Sequence, residues 1–372
     1  MQRLSLAGTL LPAVALTLIV ACEGDVPQAP RATASPVETD AGADVTLAPF
    51  DLKSKHAPAG ALNSACGAAV YRKFDFWLGQ WEIEDFAGGE PPVDGGDDII
   101  TSELGGCAVF EDYAGGGFVG RSMNTVDPLT GQWHQHWSDN TGVVLDLAGA
   151  PTATGILLEG NRPTPSGGTI HDRIEWTPLS SIEVRQLWQF STNGGPLAVQ
   201  FDGLYHKRAG VVFDPEVPTT ACQDPAFPAP RQFDFTLGTW KVDLSGPLAE
   251  DDQGTNLRST ITTDLSACLL EEKITGAGGY EARVFSNGRR RTGQWFRTYV
   301  DNRGLRVFLT GQKEGENMVL TGQLPTGGTS AADVRVTWQQ LSNGRFRQSW
   351  QVTRDGGATW RSLLSAIYKT AR

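Results

Sequence analysis

The sequence predicts an all-β fold: two tandem antiparallel up-and-down β-barrels, about eight to ten strands each, behind an N-terminal tether without regular structure. Three observations carry this. The 372 residues hold 44 Gly and 11 Trp against 3 Met, the profile of a turn-rich aromatic sheet protein. The chain after residue 65 is one unit written twice. Within each unit, apolar and polar residues alternate with period two between glycine-containing turns.

The duplication is legible residue by residue. YRKFDFWLGQWEI (71–83) recurs as PRQFDFTLGTWKV (230–242), at an offset of 159. GQW (131–133) recurs at 293–295, Asp139-Asn140 as Asp301-Asn302, Trp176 as Trp338, and RQLW (185–188) as RQSW (347–350), all at 162. Leu204-Tyr205 matches Ile367-Tyr368 at 163. Units of roughly 145–155 residues are far too long for solenoid repeats, so each is a domain. The predicted organisation is a signal segment (1–21), a tether (22–65), barrel 1 (66–208), a linker (209–221) and barrel 2 (222–372).

Strand patterning fixes the expected inward face. In WHQHWSD (133–139), Trp133, Gln135, Trp137 and Asp139 share a face; the second unit places Trp295, Arg297, Tyr299 and Asp301 there. In EVRQLWQF (183–190), Val184, Gln186, Trp188 and Phe190 share a face, as do Phe346, Gln348, Trp350 and Val352. Asp172, Ile174 and Trp176 align likewise. DNTG (139–142), DNRG (301–304), NGG (193–195) and DGG (355–357) supply the hairpin turns. Closing such a meander into a barrel removes exposed edges. Phe74, Trp77, Leu78 and Trp81, spaced i, i+3, i+4, i+7, predict a helical turn before the first strand.

Hydrophobic residues make up 40% and charged residues 20%, enough apolar content for sizeable cores. The net charge of −11 excludes a nucleic-acid binder, which needs clustered positive charge to displace counterions.

The N-terminus carries an address. Arg3 precedes an apolar run ending in Ile19-Val20-Ala21-Cys22. This resembles a bacterial lipobox, which implies that Cys22 is acylated (a palmitate-type modification) and becomes the mature N-terminus of an envelope lipoprotein. Glu23, in place of the Asp that retains such proteins in the inner membrane, points to the outer membrane. A plain secretory signal or an uncleaved membrane anchor is the alternative. The following stretch, rich in Ala, Pro, Thr and Asp, cannot bury enough apolar area to offset its backbone entropy.

A turn leading into Gly79-x-Trp81, and again Gly238-x-Trp240, followed by a β meander, resembles the calycin superfamily of lipocalins, fatty-acid-binding proteins and nitrobindins. The FDFWLGxW form is similar to lipocalin-like bacterial secreted proteins of unknown function. The resemblance covers about residues 66–208 and 222–372. It implies that the tryptophan lies across a closed barrel end under a basic side chain, with Lys207 or Arg208, and Lys369 or Arg372, placed to serve. It also places His206 where nitrobindin-like proteins carry an iron ligand; the second unit has Lys369 there. No cofactor is expected; haem in barrel 1 is the alternative, and haem in barrel 2 is less favoured still.

Apart from Cys22, the cysteines fall two per unit, and four allow three pairings. Equivalent positions in an exported protein favour Cys66–Cys107 and Cys222–Cys268, each worth about 4 kcal/mol on the chain-entropy model. No CxxC, GxSxG, HExxH or P-loop motif is present, and no metal site is expected. His134 and His136 share the face opposite the tryptophans and should point outward. Arg173 and Arg185 also belong outside, near Glu175 and Glu183, while the Arg121 strand has no clearly apolar face. Asp75 and Asp234 suit capping or an ion pair, and Asp139 and Asp301 suit Asx turns.

The expected ligand wall is therefore Trp133, Gln135, Trp137, Trp176, Gln186 and Trp188 in barrel 1, and Trp295, Arg297, Tyr299, Trp338, Gln348 and Trp350 in barrel 2. The leading expectation is a membrane-anchored protein holding small apolar or amphipathic molecules in these lumens. Filled barrels acting as an envelope module, with a protein partner, are the alternative. An enzyme acting on a lumen-bound ligand is a third reading, without a recognisable catalytic motif.

Overall fold

The computed structural model describes residues 66–371, apart from 165, 214–215, 248–255 and 328–329. The signal segment, Cys22, the tether and Arg372 lie outside the described residues. The described chain forms two closed antiparallel barrels of ten strands each. The first runs from β1 (Gly79–Asp85) to β10 (Ala198–Lys207), the second from β11 (Gly238–Ser245) to β20 (Arg361–Thr370). Strands pair in sequence order and the last returns to the first: Trp81 lies opposite both Asp98 and Lys207, and Trp240 opposite Ser259 and Thr370. Alternation decides the faces. In β18 (Ser330–Gln340), Ala332, Val334, Val336 and Trp338 are buried while their neighbours point out.

The predicted helical turn is shorter than its spacing implied. A single 3-10 turn spans Asp75–Trp77, and another Asp234–Thr236; Gly79 and Gly238 already begin strands. The aromatic residues are spent on plugging the barrel end rather than on a helix face. Phe74 packs edge-on against Trp133 (4.8 Å) and Trp176 (5.4 Å), and Phe233 against Trp295 (4.7 Å) and Trp338 (5.2 Å). The two plugs are filled differently. Trp77, buried on Trp176, gives way to Thr236 in barrel 2, where Phe346 replaces Val184 and packs on Trp240 at 5.1 Å. Volume lost from the turn is restored from a strand.

Lys207 Nζ sits 5.2 Å from the Trp81 ring centroid. The second barrel departs from this: Lys369 pairs with Asp243, so the expected basic cover of Trp240 is not formed by it. The disulfides join Cys66 to Cys107 and Cys222 to Cys268, one at the base of each barrel. Asp75 and Asp234 pair with Arg72 and Arg231, and Asp139 and Asp301 accept backbone N–H groups of their own turns.

The barrels pack side by side through β3 (Ala108–Gly115), β4 (Phe118–Val126) and β5 (Trp133–Asp139) of the first and β13 (Leu269–Thr275), β14 (Glu281–Gly288) and β15 (Trp295–Asp301) of the second. Phe110 meets Phe285 at 5.7 Å between centroids. Arg121 reaches Asp264 (2.8 Å) and Glu271 (2.7 Å) across the interface, and Arg283 reaches back to Glu103 (2.7 Å). The undecided face of the Arg121 strand is thus the inter-barrel face. Gly142, in the hairpin that follows β5, lies against the Cys222–Cys268 bridge, while Tyr71 at the first base feels the charge of Asp301. The closed end of each barrel therefore stands beside the open end of the other.

Two outward residues need correction. His136 does leave its own lumen, but it is buried between barrels, with Nδ1 2.8 Å from Thr298 Oγ1 and Nε2 2.7 Å from Asn287 Oδ1. Strand alternation tells inside from outside and is blind to what covers the outside. Arg185 pairs with Asp202 on the neighbouring strand rather than with Glu183, whereas Arg173 does meet Glu175 at 3.0 Å.

Candidate functional site in the second barrel

The predicted wall residues separate into two levels. Trp133 and Trp176, like Trp295 and Trp338, belong to the base plugs. Trp133 donates its indole N–H to the Val70 carbonyl (3.0 Å), and Trp295 donates to Gln232 Oε1 (3.1 Å). Gln135, Gln186, Trp137 and Trp188 sit higher in barrel 1. There Gln186 accepts the Tyr205 hydroxyl (2.6 Å), and Trp188 donates to Asp172, itself ion-paired with Arg162 at 2.7 Å.

In barrel 2 the upper level surrounds a cavity of about 160 Å³. Arg297, Gln348 and Tyr368 line its deeper part; Tyr280, Tyr299, Trp350 and Leu364 line the rest, with aliphatic side chains such as Leu309 and Leu324 between. Four of the predicted wall residues, Arg297, Tyr299, Gln348 and Trp350, meet here; Trp295 and Trp338 do not reach it.

Sheet register explains why space is left in this barrel. Tyr113, Trp137 and Phe201 of barrel 1 correspond to Ile274, Tyr299 and Leu364. The larger rings need glycine beneath them. A Cβ at Gly120 would lie 2.2 Å from the Trp137 ring, and one at Gly203 would lie 2.4 Å from Phe201. Barrel 2 has Ala282 and Ala366 at those positions, which exclude the larger rings.

Buried charge differs as well. In barrel 1, Asp98 and Glu111 lie together, fully buried. Burial, then the charge of Glu111, pushes Asp98 well above the carboxylate range; burial pushes Glu111 up to about 7. Neither Asp98 oxygen meets a well-formed donor, and Glu111 is the side chain bonded to it, as in a pair sharing a proton. In barrel 2, Ser259 replaces Asp98 and Arg297 replaces Gln135. Arg297 binds Glu272 and Ser286 (2.8 Å), and Ser259 donates to Glu272 at 2.6 Å, so this charge is neutralised.

The polar part of the cavity wall is a relay. The Tyr280 and Tyr299 hydroxyls bond each other, and Tyr299 continues to Asp301 Oδ2 at 3.4 Å. Asp301 Oδ1 accepts the backbone N–H of Arg303 (2.9 Å) and Leu305 (3.0 Å). Burial raises both tyrosines and brings Asp301 up to about 6.

Sequence reasoning missed Asp98, Glu111, Tyr205 and Tyr280. Glu111 and Glu272 hold equivalent register positions, and Tyr205 and Tyr368 end the same repeat match, so the duplication carried that signal. His206 is corrected: it alternates against Tyr205, faces away from the lumen, and lies 3.4 Å from Glu84 and 3.7 Å from Glu183. Among the described residues no group of three or more His, Cys, Asp or Glu is arranged to hold a metal ion.

No protein-family model matches the chain, and no curated protein does. Among solved structures it is similar to a protein of unknown function from the DUF3598 family of Nostoc punctiforme. That match has 11% identity and a TM-score of 0.19, and covers 82% of this chain and 100% of the other. It is also similar to a mutant of the vaccine antigen transferrin-binding protein B of Haemophilus parasuis, at 9% identity and a TM-score of 0.17, covering 78% and 74%. Superpositions this loose set no constraint on fold or function.

Proposed function

We propose that the protein binds small apolar or amphipathic molecules in the lumen of its second barrel. The observation that carries this reading is the 160 Å³ cavity between Trp350, Leu309 and the Tyr280–Tyr299 pair. An engineered apolar cavity of about 150 Å³ binds benzene. The calycin-like sequence pattern supports the same reading, as does the division of labour between barrels. Barrel 1 carries larger rings and an Arg162–Asp172 pair inside, and serves as the support against which barrel 2 is held. We further propose that Cys22 bears the lipid and tethers both barrels to the cell envelope, at the outer membrane.

Native mass spectrometry after mild purification tests the binding reading. A retained small molecule, lost from a Leu364→Phe, Ala366→Gly double variant that installs the barrel 1 ring and its glycine in the cavity, is the expected result. A ligand retained undiminished by that variant would move the site elsewhere. For the anchor, Cys22→Ser should release the protein from membranes.

A further inference from the structure

The polarity of the hydrogen-bond relay in the cavity restricts the ligand further; this inference rests on the binding reading above. Asp301 receives two backbone N–H groups on Oδ1, and the Tyr299 hydroxyl faces Oδ2. An ionised carboxylate only accepts, so Tyr299 is the donor in that contact. Tyr299 has then spent its one proton. The bond between the tyrosines must therefore be donated by Tyr280. Both hydroxyl protons are directed along the chain toward Asp301. What the two phenolic oxygens retain is lone pairs.

Both arginines that line the cavity are engaged: Arg303 lies over the Tyr280 ring, 4.9 Å from the centroid, with its charge beside Asp301. Arg297 gives Nη1 to Ser286 and Nη2 to Glu272, and its guanidinium lies over the Trp338 ring, 5.1 Å from the centroid. The Tyr368 hydroxyl is directed at Gln348 Oε1 (3.1 Å) and Glu272 Oε1 (3.3 Å). An anionic ligand would meet Asp301 and neutralised Glu272 without an unengaged cation to receive it. The remaining wall is aliphatic and aromatic, with the half-buried Trp350 as a flat surface.

We propose that the second barrel selects an uncharged single-ring aromatic molecule carrying an O–H or N–H donor, the phenol class. The ring fills the volume beside Trp350 and Leu309, and the donor is accepted by a phenolic oxygen of the Tyr280–Tyr299 pair. Volume sets the size, since about 160 Å³ holds a benzene-sized ring with one or two small substituents.

Isothermal titration calorimetry of the whole protein with p-cresol, toluene and benzoate tests this. p-Cresol should bind at least about tenfold tighter than toluene, the worth of one net hydrogen bond. Benzoate should bind weaker than p-cresol by a similar factor or more. In the double variant Tyr280→Phe with Tyr299→Phe, the p-cresol preference should fall to near unity while toluene affinity is retained, which also shows the barrel intact. Equal affinity for p-cresol and toluene in the unaltered protein would overturn the donor inference and leave the cavity reading standing. A p-cresol preference unchanged in the double variant would overturn it too. Failure of both p-cresol and toluene to bind would overturn the cavity reading itself, and the inference with it.

Discussion

Single buried residues give this molecule opposing responses to pH. Glu111 is held at about 7 by burial, above its ordinary 4.5. The folded state therefore keeps a proton that the unfolded chain releases. The associated stability is present below about 4.5 and is lost as pH rises through 7, on the order of 3 kcal/mol. Glu111→Gln should raise the melting temperature at pH 8 and change it far less at pH 4; a larger gain at pH 4 would invert the assignment. His136 runs the other way. Burial, followed by the nearby Arg306 charge against the Asn287 bond, holds it down at about 4. Its contribution is full above 6.5 and is lost as pH falls toward 4. His136→Gln should flatten the melting profile between those limits. The sequence carried only part of this. Asp98 and Glu111 belong to no motif, and their pairing depends on a register between β2 (Val93–Glu103) and β3 that no local pattern reveals.

At the scale of elements, the plugs explain why the repeat is so visible where it is. The FDF turns, Gly-x-Trp and the paired tryptophans are the residues that close a barrel end, so both copies retain them. Trp77→Ala should cost about 3–5 kcal/mol by emptying that plug, whereas Thr236→Ala should cost about 1, measured by urea unfolding. Removing the Cys222–Cys268 bridge should cost about 4 kcal/mol through its 46-residue separation. Period two gave the inward face of β5 and of β9 (Glu183–Thr192) correctly as a face. It did not give depth along the barrel. Trp338 and Trp350 share a lumen, yet one lies in the plug and the other on the cavity. Depth depends on strand stagger, which is a property of the closed barrel and not of any one strand.

At the scale of the whole molecule, the two barrels are one interlocked pair. Arg121 stands among Asp112, Asp264 and Glu271, and Arg283 between Glu103 and Glu271. Val217, past the start of the linker, meets the open end of barrel 1: its N–H donates to the Gly117 carbonyl (3.0 Å), and Asn140 donates to its carbonyl (3.3 Å). In barrel 2 the matching Asn302 bonds Gly279 of its own barrel. Arg121→Ala should cost about 2–4 kcal/mol, because it strips carboxylates of their partner, and should split thermal unfolding into two calorimetric transitions. A single unshifted transition would mean that the interface contributes little. The tandem architecture was legible in the sequence because duplication leaves a long ordered match. The mutual packing was not, since His136 read locally as an outward polar position and the Arg121 strand showed no clearly apolar face.

The central claim is that the second barrel is hollow at a defined place. Diffraction from crystals equilibrated under xenon tests it most directly, because xenon enters apolar cavities of this size without needing a particular chemistry. The account predicts a xenon atom among Leu309, Trp350 and Leu364. Unoccupied density there, with those side chains collapsed into contact, would contradict it.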